Sequence, residues 1–306
     1  MVMTIAERTV YSSILERPRF SWPGGAGLAV WFAVNTEHYE FLAPSPGAWP
    51  RIPQPDVQGY SFREFGNRVG FWRLANLLGD LGIPATASLN IGILEQIPEI
   101  RKALVERDWA IMSHGVFNTR NIIGLSEADE RAFYEWSVKT VKNLTGRDLK
   151  GMLTPAISAG YDTPDFMADA GLTYHADWVN DDQPVPLRVA GGQKFLTVPY
   201  TFELNTGVLF GSHFDAEYYL ETAKEQFKVL LADAQTAPRI MCLSTHPFAI
   251  GQPHAIGYLN ELLGFMREAA GVWWATADDI AKYYLDNAYD AQVKYEQSLV
   301  AVEEVQ

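Results

Sequence analysis

Apolar residues run without a break over 27–34 as Gly-Leu-Ala-Val-Trp-Phe-Ala-Val, directly after a Pro-Gly-Gly turn at 23–25. An unbroken run of this length suits a strand buried on both faces. Over 65–81 the period changes: Val69, Trp72, Leu74, Leu77, Leu78 and Leu81 recur at helical spacing, and Gly82-Ile83-Pro84 ends the pattern. A second strand is predicted over 85–89, a helix over 97–107 and a strand over 109–112. A helix over 127–144 follows, opened by Ser126 with Glu130 in a loose capping arrangement.

Short strand candidates follow at 152–153, 172–174, 195–198 and 240–244, with helical patterns at 164–170, 215–232, 256–269 and 277–286. Repeated strand-then-helix units predict a parallel sheet, and this many units predict a closed or nearly closed barrel. The expected architecture is therefore α/β, a distorted (β/α) TIM-like barrel with about seven parallel strands. A single domain covers 1–306, with an N-terminal extension over about 1–25 and a C-terminal tail over about 287–306. The proline-rich stretch 44–55 follows a strand and reads as a long loop over the strand ends, not as a linker between domains.

Composition changes this picture only at its edges. The chain has 306 residues, 48% hydrophobic and 20% charged, as a folded protein with a large core requires. Thirty-seven acidic residues against 24 basic ones give a net charge of -13, which opposes nucleic-acid binding. The single cysteine, Cys242, lies in an apolar run and is expected to be a buried, inert thiol. Residues 1–13 lack the pattern of a secretion signal and no apolar stretch would span a bilayer, so the expectation is a cytoplasmic protein with a small, soluble substrate and no membrane partner.

In a barrel of this kind the active site gathers at the C-terminal ends of the strands. Polar clusters stand at four such positions: Asn35-Thr36-Glu37-His38-Tyr39, Ser113-His114 through Asn118, Asn180-Asp181-Asp182, and Ser244-Thr245-His246-Pro247. Any one of these residues alone is more often a hydrogen-bonded surface group than a catalyst, but four clusters converging on one mouth point to a site.

The order and wording of the clusters resemble the polysaccharide deacetylase superfamily, from Arg17-Pro18-Arg19-Phe20-Ser21-Trp22-Pro23 to Trp273-Trp274-Ala275-Thr276. Within it the chain is similar to the branch of allantoinases and cyclic imide hydrolases. The opening Arg-Pro-x-x-x-Trp-Pro-x-Gly pattern, the 65–73 stretch, the Asp181-Asp182-Gln183-Pro184 step, Pro199-Tyr200 and His246-Pro247 carry that likeness. Metal-dependent members have an Asp-Asp pair after the first strand, the first a base and the second a ligand, then a His-x-x-x-His supplying two more ligands. The resemblance places Glu37 at the base position, His38 at the metal position and His114 at the first histidine, while Asn118 replaces the second. The usual arginine of the third motif is absent at Leu153-Thr154-Pro155.

These substitutions favour a site without a cofactor, the alternative being one divalent ion, zinc by preference, on His38, His114 and Asn118. The implied activity is hydrolysis of an amide C–N bond of a small polar molecule such as a ureide or cyclic imide. Glu37 would activate water, its pKa raised by an aromatic pocket, and His246 would act as general acid, with His114 among the catalytic groups. Asp181, Asp182 and Asn205 would meet the substrate's polar edge, and Trp49, Trp178, Phe117 and Tyr200 its faces. Glu64 and Arg68 would pair beneath the mouth, His254 would line a rim, and His175 and His213 would be structural. Two rival readings are a metal-dependent de-N-acetylase of an amino sugar and a non-catalytic binding protein on the same scaffold. A homo-oligomer is compatible with the composition.

Overall fold

The expected first strand, β1 (Leu28–Thr36), is buried along all nine residues and has strands on both sides in the computed structural model, which describes residues 8–42 and 55–303. Its alternate residues serve two layers, as the two-residue period of a strand demands. Leu28, Val30, Phe32 and Val34 pack outward against helices, among them Phe71, Leu74 and Leu78. Ala29, Trp31 and Ala33 face the barrel interior with Met112, Leu153, Tyr174 and Cys242. The Cys242 thiol is buried as expected.

Eight further strands complete the sheet: β2 (Thr86–Leu89), β3 (Ala110–Ser113), β4 (Gly151–Met152), β5 (Tyr174–His175), β6 (Val185–Pro186), β7 (Leu196–Thr197), β8 (Arg239–Thr245) and β9 (Val272–Ala275). They run in the order β6-β7-β5-β4-β3-β2-β1-β8, with β9 on β1. All pairings are parallel except β6 with β7. The expected seven parallel strands are thus eight, plus one antiparallel. The two unforeseen strands are β9, whose Val-Trp-Trp-Ala has no apolar-polar alternation, and β6, two residues that include a proline.

The curled sheet does not close through a continuous ladder. Isolated bonds link β8 to the other edge: Ile240 N–H donates to Asp182 O (2.8 Å), Cys242 N–H to Thr201 Oγ1 (2.8 Å) and Ser244 Oγ to Thr201 O (3.0 Å). This gap is the distortion of the barrel.

Before the mouth, the helix expected over 65–81 begins earlier, at Val57–Phe65, and passes through a π-helical turn, Gly66–Gly70, into Phe71–Leu81. A wide turn here lets the backbone approach the segment after β8: a Cβ on Gly70 would lie 2.0 Å from Pro247 O. The turn also aims buried Asn67 at Glu37, its Nδ2 donating to the Glu37 carbonyl (3.0 Å). The remaining expected helices stand at Pro98–Glu106, Glu127–Thr145, Thr163–Asp169, Ala216–Asp233, Ile256–Arg267 and Ala277–Asn287, and residues of the expected tail form a helix, Tyr289–Glu303. The proline-rich loop, except Pro55, and Trp49 lie outside the described residues.

Candidate active site

Glu37, His114 and His246 follow β1, β3 and β8 directly, and parallel strands in one sheet carry such residues to the same end of the barrel. All three are buried. Both imidazole Nε2 atoms lie 3.4 Å from Glu37 Oε1. They close the floor of a cavity of about 1450 Å3.

Backbone contacts give the two rings opposite tautomers. His114 Nδ1 is 2.8 Å from the Leu153 carbonyl, which can only accept, so Nδ1 carries hydrogen and in the neutral ring Nε2 is the basic nitrogen. His246 Nδ1 receives the Gly207 N–H (3.0 Å), which can only donate, so the neutral ring holds its proton on Nε2, facing Glu37. A proton on His246 Nδ1 would oppose that N–H. His114 is therefore the ring that can cycle, and His246 a fixed donor.

Burial alone would push the Glu37 carboxyl up, but His246 and His114, through their fields when protonated and through their Nε2 hydrogen bonds, outweigh burial and hold it well below the usual carboxylate range. This corrects the expectation of a raised value: the pocket floor is not merely aromatic. The second oxygen, Oε2, accepts from the Tyr39 hydroxyl (2.8 Å), which in turn accepts from Asn118 Nδ2.

That chain decides the fit of a metal. His38, next to Glu37 in the chain, turns its ring to Phe117 (5.6 Å between centroids), while His114 Nε2 points at Glu37 and the Asn118 amide at Tyr39. Two of the three expected ligands thus spend a polar atom on Glu37 and Tyr39, while His38 Nδ1 and Asn118 Oδ1 are buried without a hydrogen-bond partner, and among the described residues no group of three or more His, Cys, Asp or Glu is arranged to hold an ion. The residues present do not fit the superfamily's zinc.

Of the expected substrate contacts, Tyr200 and Asn205 line the cavity, but their polar atoms are engaged: Tyr200 OH accepts from Asn35 (2.9 Å) and Asn205 (3.2 Å), and Asn205 Oδ1 caps the helix Thr206–Gly211 through Val208 N–H. Asp181 and Asp182 lie at the other end of the barrel. Asp182 O bonds Ile240 near the start of β8, roughly 20 Å of strand from His246 at 3.3 Å per residue. Asp181 is bound there by Arg17 (2.6 and 2.8 Å). Both left the site because the chain runs back down the barrel after Asp177. Trp178 packs on His175, and Phe117 on His38. Glu64 and Arg68 do pair, at 3.1 Å, with Arg68 exposed.

Sequence reasoning missed the residues that align the site. Asn90, after β2, accepts the His38 N–H on Oδ1 (2.7 Å) and donates from Nδ2 to the His114 carbonyl, tying two catalytic loops together. Its position at a strand end was the available signal. In place of the family arginine, the segment after β4 carries Ala156 and Ile157 at φ 55° and 53° on the cavity wall, a conformation that costs L residues roughly 1–2 kcal/mol each.

Fold and site together define a deacetylase-type barrel with a Glu-His-His floor. No family model matches the chain. It is similar to a Schizosaccharomyces pombe protein described as a polysaccharide deacetylase, 26% identical over 85% of this chain and 91% of that protein. A Pseudomonas aeruginosa structure described as a polysaccharide deacetylase superposes with a TM-score of 0.77 at 26% identity, covering 89% of this chain and 95% of that one. The crystal structure of PuuE allantoinase superposes at 0.80 with 24% identity and the same coverages. Over most of its length the chain is thus similar to polysaccharide deacetylases in sequence and in fold.

Proposed function

We propose that the protein hydrolyses an amide C–N bond of a small molecule without a tightly bound metal. The observation that carries this is the Glu37 carboxylate set between two imidazoles of opposite tautomer at the floor of a cavity. Water held by Glu37 loses its proton as it attacks the carbonyl carbon. The fixed His246 Nε2–H donates to the oxyanion, as a neutral imidazole can. The proton passes to the departing nitrogen through His114 Nε2, and the products are a carboxylate and an amine. His246 was the expected general acid; the Gly207 N–H on its Nδ1 favours giving that role to His114.

The walls favour a flat, largely apolar body around the amide. Phe62, Phe202, Val208, Phe210 and Phe248 line them, with Gln58, Arg63 and Asn121 among the polar lining residues, and Arg120 at the rim is bound by Glu40 (2.6 Å). A polyhydroxylated sugar would leave its hydroxyls unpaired against such walls. A cyclic imide or an N-substituted amide meets them better, and PuuE allantoinase is named for a ureide substrate. Among the described residues no helix is long and apolar enough to cross a membrane.

The test is a screen of allantoin, hydantoins, succinimide and acetylated sugars with and without chelator, repeated with Glu37→Gln. Chelator-insensitive turnover that falls about 10²–10⁴-fold in the folded variant is expected. Activity that vanishes with chelator, or a fully active variant, refutes the proposal. Saturable binding without turnover would instead mark a non-catalytic member of the fold.

A further inference from the structure

Three neighbouring strand ends carry a connected path that the hydrolytic scheme does not use. Asp177, two residues beyond β5, is buried and holds both hydrogens of Thr154: the N–H on Oδ1 (2.7 Å) and the hydroxyl on Oδ2 (2.8 Å). The carbonyl on the other side of that same peptide link, Leu153 O, accepts from His114 Nδ1 (2.8 Å). Carboxylate, peptide and imidazole thus form one line that ends at Glu37, 3.4 Å from His114 Nε2.

Charge on one side of an amide strengthens the hydrogen bond on the other. A carboxylate at the N–H increases the partial charge on the carbonyl oxygen, which then binds the imidazole N–H more firmly. Hydrogen bonding of that kind raises the basicity of the opposite ring nitrogen, as it does for histidines backed by carboxylates. Asp177 has no charged basic partner among the described residues. Its ionisable neighbours are His175, whose Nδ1 is 4.0 Å away and whose pKa burial lowers to about 3, and Tyr134, with His114 reached through the peptide. Beyond His114 stand Glu37 and, across it, His246. A buried carboxylate so placed costs stability when charged, so its contribution lies elsewhere.

We propose that Asp177 is a positioning residue that acts on His114 through the Leu153–Thr154 peptide, holding the Nδ1–H tautomer and raising the basicity of Nε2. The proposal rests on His114 being the proton carrier, so its test is read on the ring itself as well as on turnover.

The measurement is a nitrogen-15 histidine titration of the full-length protein by NMR, in wild type and in Asp177→Asn. Asparagine keeps an acceptor for the Thr154 N–H but carries no charge. The expected result is a His114 midpoint lower by about half a pH unit, and mixed tautomers where wild type shows one. If an amide substrate has been found, the acid limb of its kcat/KM profile should move by the same amount. A folded Asp177→Asn protein with the wild-type His114 midpoint and tautomer overturns the proposal, even where hydrolysis is confirmed. An altered ring without any turnover supports it while refuting hydrolysis. Should Asp177→Asn not fold, Thr154→Val is read instead. It leaves the carboxylate only the peptide N–H, which should raise the His114 midpoint by a few tenths of a pH unit, and no movement overturns the proposal.

Discussion

Gly207 gives the most direct handle on the site, because its N–H sets the tautomer of His246 and its missing side chain leaves room for the ring. A Cβ at this position would lie 2.9 Å from His246 Cε1, 3.0 Å from Nε2 and 3.1 Å from Nδ1. Ordinary carbon contacts fall near 3.5–4.0 Å, so in Gly207→Ala ring and helix must part by roughly half an ångström. Overpacking of this kind costs about 1–3 kcal/mol, or roughly 2–10 °C in Tm for a domain of this size. The same retreat lengthens the Gly207 N–H bond to Nδ1 and displaces Nε2 from Glu37. Turnover should fall about ten-fold or more, given the cost of misplacing a reacting group. Gly211 ends the same helix with nothing within 4 Å of its would-be Cβ, so Gly211→Ala is the control and should be neutral or gain up to about 1 kcal/mol. Thermal unfolding and the His246 nitrogen-15 signals report the outcome without a substrate. If both variants melt alike and His246 keeps its wild-type signals in each, the account of the tautomer is wrong.

Three further outcomes are expected. Tyr39→Phe removes a donor from the Glu37 carboxylate and an acceptor from Asn118, which should cost about 1–3 kcal/mol in urea unfolding. The charged form of Glu37 loses support, so its pKa rises from its depressed folded value and the stability its ionisation gives is lost at a higher pH in acid denaturation; an unchanged acid-denaturation midpoint contradicts the bond. Asn90→Ala strands the His38 N–H and the His114 carbonyl, and should lower stability by roughly 2–4 kcal/mol in denaturant titration, a loss under 0.5 kcal/mol counting against the tie. Burial raises the Asp177 carboxyl to about 6 from 3.8, so the folded state binds that proton more tightly than the unfolded chain. The resulting stability is complete below pH 4 and lost as pH rises through about 6. It is worth roughly 3 kcal/mol, and Asp177→Asn should lack this decline, measurable as unfolding free energy between pH 4.5 and 7.5.

The sequence alone determined the strand-helix alternation and the end of the barrel where chemistry belongs, because both follow from local patterns: an unbroken apolar run at β1, helical spacing from Val69 to Leu81, and polar residues directly after apolar ones. Glu37, His114 and His246 were legible for that reason. Strand β6 was not, since a two-residue antiparallel pairing depends on β7, which no period within residues 185–186 records.

Asp181 and Asp182 were misplaced because the course of the chain after Asp177 is set by Arg17 and by the Asp182 bond to Ile240, contacts between residues far apart in sequence. The charge logic of the site was likewise out of reach. An aromatic setting suggested a raised Glu37, and only the approach of two rings within 3.4 Å, each oriented by a backbone group on another loop, reverses that direction. Residue identity established that a carboxylate and two imidazoles were present at the mouth. Their tautomers, their separation and the turn of His38 away from them arise from packing between loops that the chain brings together only when the barrel forms.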